Sequence, residues 1–476
     1  MIRFPTTAIS GLRLVLREGS ACCRQLAFTR AISTETLRVL AVFLLGFALV
    51  GCRQSPRETV TLRYTYSWNE DRPQTRVLLQ RFTKETGIRV EAIPIPEYSR
   101  DYVGLAQKFL KVSSSVDLVN IDLIWSPILE PDLVDLRPYL AAEIPQLEPE
   151  LLSSYTVNGK LVAVPFNVPL GALEYRKDLL REYRYDHPPK TWDELESMAE
   201  RIQAGERAKG AKDFWGYVWE GADGEGLACN ALEWQVAAGG GRIIEEDRSI
   251  SVNNPAAIRA WQRAKRWIGR ISPPGVVAYR GLDTTVFFDS GKAAFNRIWF
   301  LTPMTSSGQA RRIGWRSLRP SVVPTGFSRM PAGPGGSAGT LGGTGTAISL
   351  RSTHRQEAIA LLRFQLRALM QANGTDYGAV GPAETEFSDT PSVSPLQASA
   401  AGSNQLANIV ARPSIQTGGK YREVSRAYID AVHSVLTGQK QAPAAAAELE
   451  QQLIEITGFS AVPYRPVAKP TDKLVR

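Results

Sequence analysis

“TVTLRYTYSW” (residues 59–68), “QTRVLLQRFTKETG” (74–87) and “IRVEAIPI” (88–95) predict a strand, a helix and a second strand. The outer segments are rich in β-branched and aromatic residues, and the middle segment has the apolar spacing of an amphipathic helix that ends at Gly87. A third strand, “VDLVNIDLIW” (116–125), follows. This alternation predicts an α/β fold whose strand ends can face a ligand.

A short apolar segment, residues 39–50, precedes this region. It is shorter than the roughly 20 residues that span a hydrocarbon core, which indicates the h-region of a signal peptide with Arg38 as its positive flank. The Gly51-Cys52 junction resembles the lipobox of bacterial lipoproteins, in which the cysteine is acylated and becomes the new N-terminus. We therefore expect residues 1–51 to be removed as a signal peptide, longer than usual and consistent with a start codon assigned too far upstream. The alternative is an ordinary secretory signal in which Cys52 stands by chance.

The composition describes an ordinary globular protein with 43% hydrophobic and 22% charged residues. Without residues 1–51, 425 of the 476 residues remain, which is enough for two domains because single cores rarely exceed about 300 residues. The formal charge of +9 falls to about +5, since the leader holds six arginines and two glutamates. The remaining basic residues are scattered, so nucleic-acid binding is not indicated.

The cysteines and histidines predict neither a metal site nor a cofactor. Cys22 and Cys23 leave with the leader and Cys52 carries lipid, so Cys229 stands alone and no disulfide framework can form. We expect Cys229, which lies in “GLACNALEW”, to be a small buried side chain rather than a reactive thiol. The histidines have no metal-pair spacing and are expected at the surface: His187, His354 and His433.

A resemblance covers nearly the whole mature chain. The segments that carry it, in order, are “FTKETGIRV”, “NGKLVAVPF”, “EYRKDLLREYRYDHPPKTWDEL”, “FFDSGKAAFNRIW” and “HRQEAIALLRFQL”. Together they resemble the extracellular sugar-binding proteins that serve ABC importers. Three further stretches resemble the trehalose/maltose-binding branch: “FWGYVWEGADGEGLACNALEWQVAAGGG” (214–241), “ISPPGVV” (271–277) and “GTLGGTGTAIS” (339–349).

The resemblance implies a two-lobed periplasmic-binding-protein fold of the class II type, with a hinge between the lobes. The implied segments are a lipid-anchored linker (52–57), a first lobe (58–168 and 320–372), a second lobe (169–319 and 373–463) and a C-terminal tail (464–476). Crossings between lobes are expected at 167–171, at 315–324 and shortly after Met370. The lobes would close over a sugar and deliver it to membrane-spanning permease subunits and their ATPase. The protein would be a non-enzymatic monomer in the bacterial cell envelope, facing the periplasm or the exterior.

Two helices of the second lobe can be placed from sequence. Thr191 with Glu194 forms a capping-box pattern at the start of “TWDELESMAERIQAGE” (191–206). “APAAAAELEQQLIEI” (442–456) has high helix propensity and predicts a terminal helix docked on the second lobe.

The resemblance carries individual residues into the expected cleft. Asp122 matches a hydroxyl-binding carboxylate at a strand end, Trp299 a stacking ring and Arg412 a guanidinium from the second lobe. Gly343 matches a backbone position close to the ligand. Structural alternatives are an Asp satisfied by local amides, a core Trp, a surface salt bridge and a turn glycine. Either Glu70 or Asp71 could supply an acidic contact after the first strand.

Departures from the branch indicate a changed ligand. Thr344 stands where the branch has Trp, Pro169 where it has Asp and Glu174 where it has Tyr. “RIWFLTP” replaces “RNWPYAW”. We therefore count Glu174 and Thr344 among the candidate contacts and expect a different disaccharide, a related glycoside or a glycosylated polyol.

The rival interpretation is a secreted enzyme. “GGSAG” (335–339) matches the G-x-S-x-G nucleophile elbow, which needs a strand before the serine and a helix after it. Its flanks are rich in Gly and Pro, which favours a loop. Two carboxylates in a cleft could also hydrolyse a glycoside, although no motif supports this.

Overall fold

The computed structural model describes residues 59–67, 73–95, 102–112, 116–147, 149–167, 169–301, 313–314, 323–371 and 409–463. Several predicted features lie outside these residues: the signal peptide, Cys52 with its linker, Glu70, Asp71 and the C-terminal tail.

The described helices and strands alternate along the chain. The helices are α1 Pro73–Thr86, α2 Tyr102–Lys111, α3 Ser126–Leu129, α4 Pro149–Ser154, α5 Lys177–Glu182, α6 Trp192–Ala208, α7 Glu225–Ala237, α8 Pro255–Trp267, α9 Gly281–Asp289, α10 Arg355–Gln371, α11 Ser414–Thr417, α12 Tyr421–Leu436 and α13 Ala442–Thr457. The strands are β1 Thr61–Ser67, β2 Arg89–Ile95, β3 Leu118–Asp122, β4 Thr156–Val157, β5 Lys160–Leu161, β6 Val164–Asn167, β7 Pro169–Arg176, β8 Trp215–Val218, β9 Ala293–Leu301, β10 Ile313–Gly314, β11 Thr325–Arg329, β12 Ala332–Gly333, β13 Gly336–Ser337, β14 Gly339–Thr340, β15 Thr344–Ile348 and β16 Ile409–Val410.

The first lobe is built on a five-stranded sheet in the order β2-β1-β3-β15-β6. β1 runs parallel to β2 and to β3, as the strand-helix-strand pattern predicted. β15 comes from much later in the chain and lies antiparallel between β3 and β6. The insertion of β15 therefore returns the chain to the first lobe after it has built much of the second.

The second lobe has its own sheet, in the order β10-β9-β7-β11, with β8 added parallel to β9. A separate apolar core lies in this lobe and contains a cluster of aromatic rings contributed by Trp192, Tyr217, Trp219, Trp234 and Trp267. Trp219 and Trp234 are thus packing residues and not ligand-stacking candidates. Two sheets with separate cores agree with the two-lobed α/β fold.

The first crossing was predicted at residues 167–171, and β6 ends at Asn167 in the first sheet while β7 begins at Pro169 in the second. The second crossing differs. We expected it within residues 315–324, yet β11 pairs with β7, and Met330 and Ala338 are buried in the second core. Leu341 is buried in the first core. We therefore propose that the second crossing is β14 and that residues 325–338 belong to the second lobe.

The third crossing was predicted shortly after Met370, among residues 372–408, which lie outside the described residues. β16, the first described strand after that stretch, pairs in parallel with β14. The Leu341 backbone N–H also donates to the Val410 carbonyl at 2.9 Å. β14 and β16 therefore run side by side, with Ile409 packed against the first core and Val410 buried in the second.

Local sequence signals placed the helix ends well. α1 ends before Gly87, whose φ of +75° suits the end of a helix, and α13 ends before Gly458 in the left-handed conformation. Thr191 caps α6 by accepting from the Glu194 backbone N–H at 3.1 Å. The Glu194 side chain accepts from the Lys190 N–H and not from that of Thr191, so the predicted capping box is only half formed.

The terminal helix α13 packs on the second lobe as predicted, because its inner face buries Ala446, Leu449 and Leu453 in that core. Cys229 is 1% exposed within α7, in agreement with a structural thiol. None of the helices within the described residues is both long and apolar enough to cross a membrane.

Candidate functional site

The site begins where β3 ends. The predicted strand 116–125 stops at Asp122, because the Asp122 side chain accepts from the Ile124 backbone N–H at 3.1 Å and starts a 3₁₀ turn. In the ladder, Asp122 lies opposite Thr344, the first residue of β15. The Leu123 N–H donates to the Gly343 carbonyl at 3.0 Å. Gly343 has a φ of +141°, which a side chain rarely adopts, so this close approach needs glycine.

Arg412 joins the two lobes at this point. Its guanidinium donates to Asp122 at 3.5 Å and to Glu225 at 3.0 Å. Asp122 belongs to the first sheet, whereas Glu225 is the first residue of α7, which is buried in the second core. Glu225 also accepts from the hydroxyls of Tyr421, at 2.9 Å, and Ser425. Arg412 is 5% exposed, so the surface-salt-bridge alternative is replaced by a buried bridge between lobes.

Burial raises the pKa of the Asp122 carboxyl, and the nearby Arg412 charge and the Ile124 N–H oppose that effect. The Asp122 side chain remains 30% exposed. Arg412 and the Ile124 N–H do not fully replace the water that the carboxylate has lost. Because the side chain is partly exposed, it can accept further hydrogen bonds from a ligand.

Trp299, on β9, borders the same place from the second lobe. A Cβ added to Gly342 would lie 2.8 Å from Cζ3 of Trp299 and 3.2 Å from Cγ of Pro169. The Gly342 N–H donates to the Pro169 carbonyl at 2.9 Å. Residues 342–344 therefore run from the Trp299 ring to Asp122. Trp299 is half-buried, not a core residue, which leaves part of its indole for a ligand.

Behind Trp299 lies a buried ionic cluster of Arg297, Glu220 and Glu233. Arg297 is fully buried and donates to Glu233 at 2.6 and 3.2 Å and to Glu220 at 3.3 Å. Burial raises the pKa of Glu220, against the opposing effect of Arg297. A Cβ at Gly171 would lie 1.9 Å from Oε1 of Glu233, so this cluster presses directly on the first crossing.

The structure brings together five of the predicted contacts: Asp122, Trp299, Gly343, Thr344 and Arg412. It does not bring Glu174 to them. Glu174 is fully buried and accepts from the Asn296 amide at 3.1 Å.

The ladder explains the position of Glu174. Glu174 is paired with Asn296, and Gly171 is paired with Trp299, three residues away on each strand. Because side chains alternate between the two faces of a strand, Glu174 lies on the opposite face of the sheet from Trp299. This corrects its assignment as a ligand contact.

The serine of “GGSAG” has a structural role. Ser337 lies in β13, which forms a short hairpin with β12, and its hydroxyl donates to the Met330 carbonyl at 2.7 Å. β14 follows this strand where a nucleophile elbow needs a helix. The motif is therefore not a nucleophile elbow, although it forms short strands where a loop was predicted.

Comparison with known proteins agrees with this architecture. Residues 68–372 match the family model described as bacterial extracellular solute-binding protein. A relative from Deinococcus radiodurans, named probable ABC transporter-binding protein, is 36% identical over 420 residues, which are 87% of this chain and 98% of the relative. The chain belongs to the family of bacterial extracellular solute-binding proteins.

Solved structures show the same fold. The maltose-bound T. maritima MalE3 has a TM-score of 0.67 and 29% identity, over 84% of this solute-binding protein and all of that chain. A solute-binding protein from Agrobacterium radiobacter K84 in complex with ribitol has a TM-score of 0.61 and 22% identity, over 83% of this chain and 98% of that one. These similarities confirm the predicted two-lobed fold.

Sequence reasoning missed four residues of this solute-binding protein's site region: Glu225, Glu220, Glu233 and Arg297. No strand was predicted around Arg297. In the structure it lies on β9 two residues before Trp299, so the two side chains share one face of the strand. Glu225, Glu220 and Glu233 lie in the quoted segment 214–241, but nothing in that segment distinguishes them from its other acidic residues.

Proposed function

We propose that this protein is the substrate-binding component of an ABC importer and captures a sugar in the cleft between its lobes. Two relatives support this: the Deinococcus protein named for an ABC transporter and the maltose-bound T. maritima structure. A role in capture rather than catalysis fits the family and the structural position of Ser337.

The observation that carries the proposal is the meeting of Asp122, Arg412 and Glu225 across the lobes. Carboxylates accept hydrogen bonds from sugar hydroxyls and a guanidinium donates to hydroxyl oxygens, while the Trp299 ring offers an apolar face to the pyranose. Because these groups come from both lobes, a ligand that contacts all of them binds most tightly when the lobes are closed.

The charges favour a neutral ligand. Arg412 faces two carboxylates, Asp122 and Glu225, and Arg297 also faces two, Glu220 and Glu233. Each guanidinium therefore already faces two carboxylates, so each group of three carries one surplus negative charge, although the buried Nε–H of Arg412 has no hydrogen-bond acceptor among the described residues. A sugar acid or sugar phosphate would meet repulsion here, whereas a neutral disaccharide, glycoside or polyol would not.

The proposal extends to the setting of the protein. It would be exported to the cell envelope, held to the membrane by lipid on Cys52 and act as a monomer that presents its closed form to permease subunits and their ATPase. Thr344, in place of the branch's Trp, supports specificity for a sugar other than trehalose.

A thermal-shift screen tests the proposed function. The purified protein is heated with maltose, trehalose, sucrose, ribitol, glucuronic acid and glucose 6-phosphate. A ligand at 100 times its Kd stabilises the folded state by about 2.7 kcal/mol, so a binder raises Tm measurably. We expect a neutral compound to raise Tm and the two anions not to. Release of monosaccharide from a disaccharide during incubation would instead indicate a hydrolase, and a flat response to an enlarged panel of sugars would contradict the proposal.

A further inference from the structure

We propose that Glu220, together with Arg297, is a positioning residue that fixes the Trp299 indole for ligand stacking. This inference rests on the proposed function and deepens it. Glu220 would act through Trp299, without contacting the ligand, and would set the orientation of the ring before a sugar arrives.

The first support is that the Trp299 indole makes both a hydrogen bond to Glu220 and a cation–π contact with Arg297. The Trp299 Nε1–H donates to Glu220 Oε1 at 3.0 Å. The Arg297 guanidinium carbon lies 3.9 Å from the centroid of the Trp299 ring. A hydrogen bond to a carboxylate fixes rotation within the ring plane, and a cation over the face fixes the tilt. Both degrees of freedom of the side chain are therefore restrained.

The second support is that Glu220 and Arg297 are themselves held in place by further contacts. Arg297 is fully buried and bound by Glu233 through two hydrogen bonds. Glu220 is bonded to Arg297 and to the Gly281 backbone N–H. It is also confined sterically, because a Cβ on Gly226 would lie 2.2 Å from its Oε2. A carboxylate held by this many contacts can fix the orientation of the ring that donates to it.

The arrangement also decides which ring face a ligand can use. Arg297 covers one face of Trp299, so a sugar must stack on the other. Glu220 accepts from both Arg297 and Trp299, and the three groups therefore form a single preorganised unit. Preorganisation of this kind strengthens binding because the side chain loses little freedom when the ligand arrives.

The chain offers a matched control. Glu196 also accepts from an indole, that of Trp267 at 2.7 Å, and also pairs with an arginine, Arg263. It lies on α6 with a side-chain exposure of 16%, close to the 11% of Glu220. Removing Glu196 therefore reproduces the loss of a carboxylate–indole bond and an ion pair away from Trp299.

The experiment compares Glu220→Leu, Glu220→Gln and Glu196→Leu. The Trp299 indole N–H resonance of protein labelled with ¹⁵N-tryptophan is assigned by its absence in Trp299→Phe, and maltose affinity is measured by calorimetry. We expect Glu220→Leu to shift this resonance, speed its hydrogen exchange and weaken maltose binding about tenfold. Glu220→Gln keeps an acceptor oxygen and should bind within about threefold of wild type. Glu196→Leu should change neither the Trp299 resonance nor the affinity.

The outcomes separate the inference from the function it rests on. An unchanged Trp299 resonance in Glu220→Leu overturns the positioning role, as does unchanged maltose affinity when wild type binds maltose. If wild type binds no sugar, the proposed function fails while the resonance still decides the positioning role. Glu220→Leu leaves Arg297 paired with Glu233 and should fold; if it does not, the weaker amide acceptor of Glu220→Gln must still shift the resonance.

Discussion

Arg412 and Asp122 show how the site holds charged groups that are largely removed from water. Its buried guanidinium is shared by Asp122 and Glu225, which compensates the large cost of removing a charge from water. The raised pKa of Asp122 shows that its own lost solvation is not fully replaced. Asp122 is therefore suited to a ligand that completes its hydrogen bonds, at some cost to the unliganded protein.

This gives a prediction for Asp122→Asn. A raised pKa in the folded state means that folding favours the protonated carboxyl of Asp122. The pKa of an Asp in the unfolded chain is about 3.9, so above that pH the ionised carboxylate lowers the free energy of unfolding. The neutral amide escapes this loss, and Arg412 keeps Glu225 as partner. We expect the unliganded variant to melt at or above the wild-type Tm at pH 7, with the difference shrinking towards pH 4.

The same variant should bind the best ligand of the panel about tenfold more weakly, because an amide replaces a charged acceptor. Calorimetry and melting curves at pH 7, 5.5 and 4 check both parts. A variant that is less stable than wild type at pH 7 yet equal at pH 4 would show that Asp122 stabilises the fold through its charge, contrary to this account.

Cys229 supports a second prediction at this scale. The thiol is 1% exposed, and burial raises its pKa to about 12, so it is neither accessible nor ionised at neutral pH. In a truncated chain that begins at Arg53, a thiol reagent at pH 8 should label Cys229 only as fast as the protein unfolds. Addition of denaturant serves as the positive control. Labelling within seconds in native buffer would contradict a structural role.

At the scale of secondary-structure elements, the crossings between lobes depend on close backbone packing. β14 and β16 run in parallel, and the chain between β14 and β15 passes against Pro169 and Trp299. Gly342 lies in this passage, where a side chain would collide with the Trp299 ring, and Gly343 has a φ of +141°, which other residues rarely adopt. We therefore expect a change in the path of this crossing to move the Trp299 ring.

Gly342→Ala tests this coupling. The added methyl would lie 2.8 Å from the Trp299 ring, so the ring or the crossing must move. We expect ligand affinity to fall at least tenfold through altered lobe closure and ring position. Gly419→Ala is the control, because its Cβ meets nothing within 4 Å and its φ is not positive. Equal ligand affinities for the two variants, measured by calorimetry, would show that the contact between Gly342 and the Trp299 ring does not affect binding.

At the scale of the whole molecule, two lobes with separate cores are joined by crossing segments, and Arg412 forms ion pairs with a carboxylate of each lobe. Such an architecture permits closure about the hinge, which a ligand contacting both lobes stabilises. The proposed delivery to a permease requires that the protein stay near the membrane, and under this proposal lipid on Cys52 provides the attachment.

Cys52→Ser tests the proposed anchor. Acylation needs the cysteine thiol, so the variant should be released from the membrane fraction or remain as an unprocessed precursor. Fractionation and mass determination of the N-terminal fragment give the readout, with Cys229→Ser as the control that keeps the junction intact. Normal processing together with wild-type membrane retention in Cys52→Ser would mean that the chain is held in another way.

The sequence by itself determined the α/β class, the strand and helix order and the two-lobed family, because these depend on local periodicity and on motif order along the chain. It also located β1, α1, α6 and α13 to within a few residues. Through the resemblance it could also name Asp122, Trp299 and Arg412 as candidate contacts.

Only the tertiary structure decided how those residues are used. Glu174 was removed from the site by strand register, and Glu225 entered it because α7 begins beside Arg412, 187 residues away along the chain. The second crossing is proposed at β14, and not within residues 315–324, because β11 pairs with β7. Long-range pairing and burial set these outcomes. They depend on how sheets and helices assemble in three dimensions, which neither local periodicity nor residue spacing encodes.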